Sequence, residues 1–198
     1  MNFDAYVLPA VLLLSFTALT LLISHDWRVL VSALGLMYVG VFILVLSSWS
    51  LEMTVVKLAA GWISASVLGI SMVSISPRQH LQIRYFPSEI IFRISASGLV
   101  GLVTISLALG IQAWFPGLSY EQAIGGLILL GMSLLHMGFT SQPLHTIVAL
   151  LTFFAGFEIL YAAIESSVLV AGFLAVINMG VALVGAYLLL VPTMESDE

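Results

Sequence analysis

Polar residues in this chain come in short bursts, and the stretches between the bursts are almost wholly apolar. Crossing ~30 Å of hydrocarbon takes about 20 apolar residues in a helix. That ruler predicts seven segments, over 5–24, 28–48, 53–75, 93–114, 122–140, 144–165 and 168–191. The breaks fall where charge or turn residues collect: His25-Asp26, Ser48 to Glu52, Ser76 to Phe92, Phe115 to Glu121, Ser141 to Pro143, and Glu165-Ser166-Ser167. The connections are too short for a domain outside the bilayer. The expectation is an all-α, polytopic membrane helical bundle forming one transmembrane domain over 1–198.

Composition agrees with the pattern. Of the 198 residues 61% are hydrophobic and 8% charged, against roughly 45–50% and about 25% in soluble domains. The net charge of −5 comes largely from loop acids and from Glu195, Asp197 and Glu198, so no basic face for nucleic acid is expected. The absence of cysteine excludes thiolate metal sites, Fe–S clusters and disulfides. No basic residue precedes the first apolar run, so a cleaved signal peptide is not expected.

Orientation follows from the cations. Arg28, Arg78, Arg84 and Arg93 all fall on one side of a seven-span chain, and the positive-inside rule makes that side cytoplasmic. The N-terminus is then outside and the acidic tail, 193–198, cytoplasmic. Glu52, Glu121 and Glu165 fall near the outer face.

The spans also invite a comparison of the chain with itself. An offset of 116 carries the starts of the first three segments onto those of the last three, and Gly40 onto Gly156, Ala59 onto Ala175 and Gly69 onto Gly185. Evenly spaced spans also coincide without common origin, so the matches make a parallel duplication a candidate only. Its units would be 1–75 and 121–192, with 93–114 as connector.

Few residues here carry chemistry. Glu158 lies in the middle of the apolar sixth segment, where an ionisable group costs several kcal/mol unless paired, protonated or hydrated. It is the first candidate for proton handling, the bland alternative being a protonated cross-link between helices. Lys57, one turn inside the third segment, either snorkels to the outer interface or forms a buried acid–lysine pair with Glu158 or with a glutamate of a neighbouring subunit. Asn178 is the polar group nearest the middle of the last helix, suited to an interhelical hydrogen bond or a place in a water wire. His136 and His145, nine residues apart across a turn, are candidates for proton uptake. Their spacing is no metal motif.

The remaining signals concern packing. Gly98, Gly101, Gly125, Gly126, Gly131, Gly138, Gly156, Gly172, Gly180 and Gly185 allow close helix contact, and Trp27, Trp49, Trp114, Tyr120 and Tyr85 read as an interfacial aromatic belt.

The C-terminal third carries a resemblance. Leu129-Leu130-Gly131-Met132, Ser141-Gln142-Pro143-Leu144-His145-Thr146-Ile147 and Gly156-Phe157-Glu158-Ile159-Leu160-Tyr161-Ala162-Ala163 together resemble the small membrane-arm subunits of the superfamily that unites complex I, group 4 membrane-bound hydrogenases and Mrp antiporters. Complex I chain 4L has a polar turn followed by a helix bearing Gly-X-Glu. The hydrogenase E component is closer in length, with an early lysine comparable to Lys57 and a late glutamate comparable to Glu158. The resemblance implies a non-catalytic subunit of a redox-coupled proton- or cation-translocating complex, set beside antiporter-like subunits in an energy-coupling membrane such as a bacterial or archaeal plasma membrane. No cofactor is expected on this chain, since no residue pattern in it demands one. One departure is that chain 4L has a second acid in its third helix where this chain offers Asn178. In the duplicate position of Glu158 stands Phe42 or Val41. The rival expectations are a structural or pigment-associated subunit, with His136 or His145 as ligand, and a small independent transporter.

Overall fold

The structure is a computed structural model, and it describes residues 4–75, 87–115 and 117–194. Arg78, Arg84, Tyr85 and the tail acids named above lie outside the described residues. Seven helices run in order: α1 (Asp4–Ile23), α2 (Trp27–Val45), α3 (Leu51–Ser74), α4 (Pro87–Trp114), α5 (Tyr120–Phe139), α6 (Pro143–Ile164) and α7 (Val168–Met194). All seven are long and apolar enough to cross a membrane, and no strand occurs among the described residues. The protein is a polytopic membrane helical bundle.

Local chemistry sets the helix ends. Asp26 caps α2 by accepting from the Arg28 backbone N–H, Ser119 and Gln122 form a capping box on α5, and Pro143 opens α6 where no helical N–H partner is needed. The largest boundary difference is at α4, which begins at Pro87 and not near Arg93. Charge between two apolar runs predicts a loop there. In the helix, Glu89 and Arg93 are one turn apart and pair at 2.8 Å, while Arg93 also donates to the Leu22 carbonyl at 2.7 Å, so the guanidinium sits 5% exposed inside the bundle.

The helices form two rows of three. Within each row neighbours in sequence are neighbours in space, and across the rows α1 packs on α5, α2 on α6 and α3 on α7. Helix α4 leans against α5 from outside, with only 11% of its span buried. The offset of 116 reappears in the contacts. A Cβ on Gly40 would lie 2.8 Å from Leu14 Cδ2 and 3.5 Å from the Ala10 carbonyl, and one on Gly156 would meet the counterparts Gly126 O at 2.8 Å and Leu130 N at 2.9 Å. Gly69 faces Val31 as Gly185 faces Ile147. Glycines at matching positions seat matching pairs of helices in both rows.

The rows are stacked in the same order. Lys57, Ala60, Leu68 and Ser71 are buried on α3, yet their counterparts on α7, Phe173, Val176, Val184 and Tyr187, are all exposed. The face that the first row buries against the second is the face that the second row turns outward.

Trp49 departs from the expected aromatic belt. It is 4% exposed and donates its indole N–H to the Glu165 carbonyl at 2.9 Å, joining the α2–α3 turn of one row to the α6–α7 turn of the other. Trp114, at 83% exposure, remains accessible at the end of α4.

Candidate functional site

Lys57 and Glu158 meet between the rows. Lys57 lies six residues into α3 and Glu158 six residues before the end of α6, so each is ~9 Å from the same end of the bundle at 1.5 Å per residue. Lys57 Nζ donates to Glu158 Oε1, with the side chains 3% and 1% exposed. The lysine therefore does not snorkel outward, and its partner is supplied by its own chain. The cause is geometric: Lys57 is on the α3 face buried against the second row, so its stem points inward.

The Gly-X-Glu element works as a two-sided device. Successive helical residues are about 100° apart, so Gly156 and Glu158 lie on nearly opposite sides of α6. Gly156 takes the backbone of α5 into close contact, while Glu158 reaches toward α3. On α2, Tyr38 is buried at a similar depth and lies within electrostatic reach of Glu158. Its ring fills the space over Gly61, where any Cβ would overlap it. Glu158 Oε2 and the Tyr38 hydroxyl have no hydrogen-bond partner. Unpaired buried oxygens are uncommon and costly, and they mark the second carboxylate oxygen as the place where a proton could be added.

Asn178 is fully buried on α7, but both amide atoms lack hydrogen-bond partners, so it does not form the expected interhelical bond. It lies ten residues into α7, deeper than the ion pair.

His136 and His145 come together at the other end of the bundle. Their ring centroids are 5.5 Å apart, edge to face, and His25 stacks on His145 at 6.1 Å. His145 Nε2 lies 3.3 Å from the Ser24 carbonyl, which can only accept, so a hydrogen bond there has Nε2 as its donor. His145 Nδ1 and His136 Nε2 are buried without partners. Arg93 and Glu89 complete the surroundings: burial first, then the Arg93 guanidinium, pushes the His25 imidazole below its ordinary range, while Glu89 opposes the shift. Among the described residues no group of three or more His, Cys, Asp or Glu is arranged to hold a metal ion.

Tyr38, His25 and Arg93 are site residues that sequence reasoning missed. Tyr38 reads as core, and His25 and Arg93 read as punctuation between spans. The Glu89–Arg93 spacing of four was the available signal that α4 starts early enough to bury the arginine.

No known family matches this chain, and neither does any curated protein or solved structure.

Proposed function

We propose that the protein is a non-catalytic membrane subunit of a multisubunit, redox-coupled complex that translocates protons or cations, with Glu158 as the proton-carrying group. The observation that carries this reading is the Lys57–Glu158 pair, buried in apolar helices between the rows with one carboxylate oxygen unpartnered. As an ion pair the site is neutral overall and tolerable at that depth. A movement that withdraws the ammonium leaves an isolated carboxylate, which must take up a proton or water; return of the ammonium expels the proton. Lys57 thus acts as a movable counter-charge. His25, His136 and His145 serve as the uptake end, and Asn178, with its amide unpartnered, is a further polar station deeper in α7. The side bearing Arg28 and Arg93 is cytoplasmic in this reading, with the N-terminus outside. Antiporter-like subunits complete the path, as the resemblance of the Gly-X-Glu region implies, in an energy-coupling membrane.

The rival reading, a static tie between rows, is favoured by the burial of both partners. Infrared difference spectra of the native assembly in lipid separate the two. Between pH 5 and 9, or on turnover, the proton-handling reading expects a protonated-carboxyl band that Glu158→Gln abolishes. A carboxylate that stays ionised throughout supports the static tie. Copurification with multi-helix subunits of antiporter size tests the assembly, and a lone monomer in mild detergent counts against it.

A further inference from the structure

A groove of about 350 Å³ runs along the outer side of the first row, between α1 and α2. Phe16, Thr17 and Leu36 line its depth, Ser32 its middle, and Arg28 its mouth. From Arg28 to Leu36 is eight helical residues, or ~12 Å along the axis, so the groove descends from the end of the bundle well into the apolar span. Its walls are almost entirely carbon.

Arg28 is exposed at that mouth. Among the described residues the ion pairs are Lys57–Glu158 and Glu89–Arg93, so no described carboxylate forms an ion pair with the Arg28 guanidinium. Asp26, the nearest acid in sequence, is engaged in capping the helix, and Trp27 lies under the guanidinium with its ring centroid 5.4 Å away. A cation over an indole at the head of an apolar groove is suited to an anionic group whose attached chain is hydrocarbon.

The second row supplies the control. The groove residues Phe16, Ser32 and Leu36, exposed in the first row, correspond at the offset of 116 to Met132, Val148 and Thr152, all of them buried. The counterpart of Arg28 is Leu144, also buried. Where protein closes this surface the position is apolar; where it stays open, it holds an unpaired cation.

We propose that the α1–α2 groove is a binding site for one anionic phospholipid, its phosphate against Arg28 and an acyl chain along Ser32 and Leu36. The proposal does not depend on proton handling at Glu158. Native mass spectrometry of the purified protein with equal amounts of phosphatidylglycerol and phosphatidylcholine tests it. The expected result is a preference of roughly fivefold for the anionic lipid, the effect of about one basic residue at an anionic surface. Arg28→Gln removes the preference, and Ser32→Phe, which fills the groove from its wall, removes the retained adduct of either lipid. Equal retention by the parent, or a preference that survives Arg28→Gln, overturns the proposal, as does an adduct that persists in a folded Ser32→Phe protein. Inorganic phosphate in excess is expected not to displace the lipid; displacement points to a free-phosphate site and rejects the lipid.

Discussion

The two rows share a scaffold and differ in what they do with it. Gly40 and Gly156 seat matching helix pairs, and so do Gly69 and Gly185. Yet the counterparts of Lys57 and Glu158 are Phe173, exposed, and Phe42, half-buried. The stacking order explains the difference. Lys57 is on the forward face of the first row and Glu158 on the rearward face of the second, so only this combination meets across the interface. A charge at Phe173 would face outward on α7, where nothing in the bundle could neutralise it.

The largest expected effects are at the charges. Glu158→Ala leaves Lys57 buried without a partner and is expected to cost about 3–5 kcal/mol, or to prevent accumulation of the protein. The double variant Lys57→Met with Glu158→Leu makes the site as apolar as its counterpart and is expected to regain most of that loss. Unfolding of both variants in one detergent checks the order. If the double variant is as unstable as the single, the pair is holding the rows together through more than charge compensation.

The glycines come next. A Cβ at Gly156 meets backbone atoms of α5, which cannot move aside, whereas at Gly40 it meets first the end of the Leu14 side chain. Gly156→Ala is therefore expected to cost about 1–3 kcal/mol of overpacking and Gly40→Ala clearly less, read from paired melting curves. Equal losses would show that the two seats are equally rigid.

The histidine end gives a smaller, pH-dependent effect. His25 binds its proton less readily folded than unfolded, so between its folded value and about 6.5 the unfolded chain holds more protons and stability falls as pH falls. Melting temperatures from pH 7.5 to 5 should decline, and His25→Asn should flatten that decline. The smallest effect is at Trp49. Trp49→Phe keeps the packing but loses the bond to the Glu165 carbonyl, about 0.5–1.5 kcal/mol.

The frame of this fold was legible because lipid demands long apolar helices, and each demand leaves a countable trace in sequence. The helix ends at Asp26, Ser119 and Pro143 were readable for the same local reason. Arg93 misled because a charge between apolar runs looks like a boundary until the Leu22 carbonyl and Glu89 that satisfy it are seen. Glu158 stood out by cost alone, but its bond to Lys57 spans 101 residues and depends on which faces of two rows meet. Helical spacing fixes faces within one helix and says little about faces across a bundle. Tyr38 was hidden for a further reason: its hydroxyl is one polar atom on a side chain otherwise suited to the core.

The sequence distance within the ion pair also bears on how the protein is made. Lys57 leaves the ribosome 101 residues before Glu158, roughly 5–20 s earlier at the usual pace of synthesis. For that interval α3 carries an uncompensated ammonium into the membrane. The nascent first row must keep Lys57 near water or headgroups, and only the arrival of α6 lets it turn inward. Burial of the lysine as an ion pair and closure of the two rows therefore belong together, because neither partner of the pair is tolerable at that depth alone.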